Sequence, residues 1–264
     1  MVAALVLWTV HWTDRAAAQT TVDLVLVIAV DVSLSMDMEE QQLQRDGYVA
    51  AFRDPELHRA IASSGPHGRI AVTYVEWAGP ASQAVVIPWT LIDSPAAARA
   101  FADRLAAQPI TRERLTSISA ALHFAQALLK SSGFSAPRRV VDISGDGPNN
   151  SGGPVLDARD ELIAKGIVIN GLPIMLKAGA PTFFDLSNLD VYYAACVIGG
   201  MGAFMVPVTE IAELKAAIRR KLLLEIAWAA PPLRPLRAQV DGQEPYDCLV
   251  GERQWRWYLD DTPK

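Results

Sequence analysis

The sequence predicts an α/β fold: a mostly parallel central sheet with one antiparallel edge strand and helices on both faces. Three observations predict it. Strand-like and helix-like segments alternate through most of the chain. The first strand is apolar at nearly every position, as a strand covered on both faces must be. Two early strands are joined by a connection too short for a crossover helix.

The elements follow in order. Thr21 to Val30 is a Val- and Leu-rich run broken only by Asp23, and it ends at Asp31-Val-Ser-Leu-Ser. Residues 38–53 read as a helix with Leu43, Gly47 and Ala50 at helical spacing, and Asp54-Pro55 ends it and starts a shorter one. Arg69–Trp77 and Gln83–Trp89 read as an antiparallel pair, with Pro88 placing the second at an edge. Ser94-Pro95 opens a helix to about Ala107, and Ser117 to Lys130 forms another. Arg138–Ser144 is a strand, Pro154–Lys165 a helix closed by Gly166, and Ile167–Leu172 a strand. Residues 185–196 read as helical, Ala203–Val206 as a short strand, and Thr209 as the cap of a helix through Ile226. Pro231, Pro232 and Pro235 mark a boundary. The expected division is a domain over residues 19–228 and an extension over 229–264, with short strands around Leu249 and Trp255 to Tyr258.

Residues 1–18 combine an apolar run from Val2 to Val10 with Ala16-Ala17-Ala18, the pattern of a secretory signal peptide cleaved after Ala18. The run is too short to cross a bilayer, which takes about 20 residues, so no stable membrane span is expected in the mature chain. A short uncleaved anchor or a plain tail are the other readings. Export places the chain in the periplasm or outside a bacterial cell. Its two cysteines, Cys196 and Cys248, are then compatible with one disulfide, the alternative being two buried thiols. With a net charge of −5 and scattered Lys and Arg, no nucleic-acid partner is expected.

In an open α/β sheet, ligands sit beyond the carboxyl ends of the strands. Two strands deliver oxygen-rich loops there: one carries Asp31, Ser33 and Ser35, the other Asp146. Thr116 stands just before a helix. Alternate spacing lets Asp31, Ser33 and Ser35 point one way from an extended turn. Two carboxylates and three hydroxyls make a hard, oxygen-only metal set that suits Mg²⁺, with Mn²⁺ or Ca²⁺ as other candidates. The dispersed histidines and distant cysteines disfavour Zn²⁺. Asn149 and Asn150 are expected at the rim of the site, or as loop-formers only.

The order Asp31-Val-Ser-Leu-Ser, Thr116, Asp146-Gly147, each in its strand or helix context, resembles the metal-ion-dependent adhesion site (MIDAS) of von Willebrand factor type A domains. The resemblance implies direct metal contact from Ser33 and Ser35. It implies direct or water-mediated contact from Thr116 and water-mediated contact from Asp31 and Asp146. It also implies a vacant position that accepts Asp or Glu from a protein partner. A narrower resemblance covers about residues 22–226. Leu43-Gln-Arg-Asp-Gly-Tyr, Val75-Glu-Trp, Val141-Asp-Ile-Ser-Gly-Asp-Gly-Pro-Asn-Asn, Ile169-Asn-Gly-Leu-Pro-Ile and Val197-Ile-Gly-Gly-Met-Gly-Ala-Phe are similar to an uncharacterised bacterial family of predicted exported proteins with a type A-like domain.

Other polar and aromatic residues have structural readings. Mid-strand Asp142 needs a partner, expected to be an Arg or a backbone amide. Asp37, Glu39 and Glu40 favour the dipole of the helix they begin. Trp77 and Trp89 are expected to face one another across the hairpin, and Trp255 and Trp257 to alternate along a strand. No nucleophile stands beside a base and no Gly-rich loop cradles phosphate, so no catalytic residue is assigned. The leading expectation is a non-enzymatic, cation-dependent protein-binding module. A metal-assisted hydrolase and a structural subunit of an exported assembly are the alternatives.

Overall fold

The computed structural model describes residues 19–176, 186–227 and 246–261 of the 264. Residues 1–18, expected to be a signal peptide, and the proline-marked boundary lie outside the described residues.

The chain begins with β1 (Thr20–Thr21) and β2 (Leu24–Asp31). Helices α1 (Met38–Arg53) and α2 (Pro55–Ala62) lead to β3 (Ile70–Trp77) and β4 (Gln83–Ile92). Then come α3 (Pro95–Ala106), α4 (Ile118–Lys130), β5 (Phe134–Ser135), β6 (Arg138–Gly145), α5 (Val155–Ala164) and β7 (Val168–Pro173). The last elements are α6 (Leu189–Tyr192), α7 (Leu214–Ala227) and α8 (Val250–Asp261). A five-stranded sheet has the order β4-β3-β2-β6-β7, and β1 pairs with β5 in a separate two-stranded ladder. Every pairing in the large sheet is parallel except β3 with β4, which puts the antiparallel strand at the edge as expected.

Strand β2 is central, and its side chains divide by parity, because successive residues of a strand point to opposite faces. Leu24, Leu26, Ile28 and Val30 enter a core with α1, α2, α3 and α7. Val25, Val27 and Ala29 enter a second core with α4, α5 and the α6 region. Asp23, just before the strand, accepts hydrogen bonds from the backbone amides of His67 and Arg69 and from the Ser64 hydroxyl.

Several expectations need correction. Of the helically spaced residues of α1, Gly47 is buried and Leu43 packs partly buried against the core, while Ala50 is exposed; the buried face also includes Gln44, Arg45, Tyr48 and Phe52. Polar residues are tolerated there because they are paired: Gln44 donates to the Ser144 hydroxyl and Arg45 forms a buried ion pair with Glu76. The partner of Asp142 is Lys221, which also pairs with Glu225 at 2.6 Å. Trp77 lies opposite Gln83, whereas Trp89 packs near Phe134 at 6.4 Å between ring centroids, so the tryptophans do not meet. Residues 203–206 make no strand. The chain touches the edge of β7 through isolated bridges, antiparallel at Gly199 and parallel at Met205 and Val208, so no ladder extends. A 3₁₀ turn, Ile211–Glu213, precedes α7, and its cap is Glu210 rather than Thr209. In the extension, the expected strands are replaced by α8, and Trp255 stacks on Tyr258 three residues along that helix. Alternating tryptophans carry no information about which period the backbone adopts once three-residue spacing also brings rings together.

A candidate cation site at the sheet edge

Parallel pairing aligns the carboxyl ends of β2 and β6, with Val30 opposite Ser144. Asp31 therefore ends one strand beside Gly145, and Asp146 follows directly. Beyond Asp31 the chain turns, and the Ser33 amide donates to Asp31 Oδ1 at 2.7 Å. The Ser33 and Ser35 hydroxyls share a hydrogen bond of 2.7 Å, and Ser35 Oγ donates to Asp146 Oδ1 at 2.7 Å. Four of the five predicted residues are thus joined by one run of hydrogen bonds across the ends of two strands, Asp31 entering it through the Ser33 amide. The turn is closed by α1, whose N-cap is Asp37: its side chain accepts from the Glu40 amide, and Glu40 accepts from the Asp37 amide.

Thr116 is buried on the neighbouring loop. That loop is fastened to β2 and β3: the Glu113 amide donates to Val32 O and the Ser117 amide to Ala78 O. Asn150 ties Thr116 to the Asp146 loop. It accepts the Thr116 amide on Oδ1 at 2.9 Å and returns its own amide to Thr116 O at 2.9 Å. Asn149 Oδ1 accepts the Ser119 amide at 3.0 Å at the start of α4. The two asparagines therefore hold the loops together. Leu115, just before Thr116, has φ +70°, a conformation that non-glycine residues rarely adopt. Periodicity and composition carry no signal for that residue.

The electrostatics fit a cation. Asp31 is fully buried and its Oδ2 has no hydrogen-bond partner. Burial, together with the nearby Asp146 carboxylate, pushes its pKa well above the usual carboxylate range. The neighbouring position is Gly145, where a Cβ would come within 2.9 Å of both Asp31 Oδ2 and the Tyr193 hydroxyl. The glycine keeps open the space that the orphaned oxygen faces. An unpaired buried oxygen beside a second carboxylate is costly, and a hard cation is the group that offsets it. Among the described residues no group of three or more His, Cys, Asp and Glu side chains could hold a metal ion.

Cys196 and Cys248 form a disulfide. It anchors the chain leading into α8 behind the Asp146 loop. Among the described residues, no helix is long and apolar enough to cross a membrane.

A family model described as "Protein of unknown function (DUF1194)" matches residues 21–230. The chain belongs to this family. No curated protein matches it in sequence. Solved structures resemble its fold. Proximal thread matrix protein 1 from the mussel byssus, in a structure with a zinc-occupied MIDAS motif, aligns with TM-score 0.57 and 15% identity over 80% of this chain and 49% of that one. A von Willebrand factor type A structure from Catenulispora acidiphila aligns with TM-score 0.51 and 17% identity over 78% of this chain and 43% of that one. The pilus adhesin SpaC of Lactobacillus rhamnosus GG aligns with TM-score 0.57 and 11% identity over 78% and 31%. The chain spans about half or less of the length of these proteins. The likeness shows that its fold is that of a von Willebrand factor type A domain.

Proposed function

We propose that this DUF1194 chain is a divalent-cation-dependent protein-binding module, exported to the periplasm or the cell exterior. Residues 19–228 would form the binding domain and 229–264 its extension, after loss of 1–18 as a signal peptide. Asp31, Ser33, Ser35, Thr116 and Asp146 would hold the cation, with Mg²⁺ favoured by the hardness of the oxygen set. A bound cation supplies positive charge at the sheet edge for an Asp or Glu carboxylate of the partner. The chain's own residues orient that encounter. The Ser33–Ser35–Asp146 hydrogen bonds fix the loop, and exposed Leu34 and Met38 offer apolar contact beside it.

The observation that carries the reading is the buried Asp31 Oδ2 without a hydrogen-bond partner, on a carboxylate joined through the Ser33 amide and the Ser33 and Ser35 hydroxyls to Asp146. The zinc-occupied MIDAS of the mussel protein and the adhesin role of SpaC support it by analogy. Calorimetric titration with Mg²⁺, Mn²⁺, Ca²⁺ and Zn²⁺ tests it. The native chain is expected to bind Mg²⁺ and Asp31→Ala to show no binding; identical heats from both would sink the assignment. Pull-down from bacterial envelope extract, with Mg²⁺ against chelator, then tests for partner capture.

A further inference from the structure

One helix beyond the family match sits directly on the loop that carries Asp146. Helix α8 starts two residues after Cys248, whose disulfide to Cys196 fixes the chain at that point. Tyr246 reinforces the anchorage, with its ring 6.1 Å from that of Tyr192 and its hydroxyl donating to Asn188 Oδ1 at 3.4 Å. At Gly251 the helix backbone presses so closely on the Asn149 carbonyl that no Cβ could be accommodated there without displacing backbone. The next residue, Glu252, accepts a hydrogen bond from Asn149 Nδ2 on Oε1 at 2.6 Å.

Asn149 is fully buried and joins four parts of the molecule. Its Nδ2 also donates to Gly153 O at 3.2 Å, and its Oδ1 accepts the Ser119 amide in α4. Its own amide donates to the Tyr192 hydroxyl at 3.1 Å. Its neighbour Asn150 exchanges two hydrogen bonds with the Thr116 backbone, one through its side chain and one through its own amide. The stretch from Asp146 to Asn150 is therefore gripped from one side by the Thr116 loop and from the other by α8. A displacement of Asn149 moves both loops of the candidate site.

We propose that Glu252 and Gly251 are positioning residues of the cation site, through which the disulfide-anchored C-terminal helix sets the placement of Asp146 and Thr116 by way of Asn149. The inference rests on the cation reading above. Residues that orient metal ligands without touching the metal are typically worth 10–100-fold in affinity. Glu252 contributes an acceptor oxygen, and Gly251 contributes the absence of a side chain.

Mn²⁺ binding to the full chain, followed by electron paramagnetic resonance, tests this with Glu252→Ala, Glu252→Gln and Asp31→Ala. Glu252→Ala is expected to bind at least about tenfold more weakly. Glu252→Gln, whose amide oxygen accepts the same hydrogen bond, should keep the native affinity and the native spectrum of bound Mn²⁺. Native affinity in Glu252→Ala, with Asp31→Ala silent, overturns the positioning role and leaves the cation site standing. Equal losses in Glu252→Ala and Glu252→Gln also overturn it, since the acceptor oxygen would then not be what matters. Binding that survives in Asp31→Ala removes the cation reading itself. The native chain with its disulfide reduced supplies a measurement free of substitutions. Release of α8 is expected to weaken Mn²⁺ binding by a similar factor, and unchanged affinity counts against the proposal.

Discussion

At the scale of single residues, the molecule keeps two carboxylate clusters under different control. At the carboxyl ends of β2 and β6, the buried Asp31 faces the Asp146 carboxylate and its Oδ2 has no hydrogen-bond partner, a deficit that a metal ion would meet. Inside the α1–α7 core, Asp142 and Glu225 share Lys221, so two acids compete for one ammonium. Burial and the Asp142 charge push the pKa of Glu225 up to about 8, against an ordinary 4.5. The folded chain then holds a proton that the unfolded chain has lost across that interval. Stability from this group is fully present below the unfolded value and declines as pH rises from about 4.5 to about 8, by up to about 1.4 kcal/mol per pH unit. Glu225→Gln is expected to flatten that part of the profile, read as melting temperature against pH. A slope unchanged by the substitution would assign the dependence to other groups.

At the scale of elements, the loop of the proposed cation site and the helix after it are one unit. Asp37 ends the turn that displays Ser33 and Ser35 and also caps α1 through its reciprocal pair with Glu40. Asp37→Ala removes the side-chain half of that box. It is expected to cost about 1 kcal/mol in urea unfolding. It should also weaken cation binding, because the loop would lose its fixed exit. A variant with native stability would show that α1 is held by tertiary packing alone. The acidic start of this helix was legible in the sequence as a favourable dipole contact, and the structure makes it the specific reciprocal cap.

At the scale of the whole molecule, the described helices divide between the two faces of the sheet, and α8 lies against the Asn149 loop. The Cys196–Cys248 crosslink closes a loop with a sequence separation of 52, restricting the unfolded chain. Replacing both cysteines by serine is expected to lower unfolding free energy by about 2–4 kcal/mol, measured by denaturant titration. A loss close to zero would mean that α8 and its contacts contribute little to the cooperative fold.

The sequence by itself determined the sheet, because burial on both faces demands long apolar runs and only strands of limited length satisfy them. It also placed Asp31, Ser33, Ser35, Thr116 and Asp146 at loop starts, since each follows a strand or precedes a helix, and those boundaries carry local signals. The tertiary structure alone decided which polar residues are buried with which. Gln44 meets Ser144 and Asn149 meets Glu252, 100 and 103 residues apart, and no local pattern encodes a pairing over that distance. It likewise decided that residues 250–261 are helical, where α8 packs on Asn149 and is tethered at Cys248, neither of which is local. The orphaned Asp31 Oδ2 belongs to the same class: a carboxylate is legible in the sequence, but its lack of a partner is a property of everything folded around it.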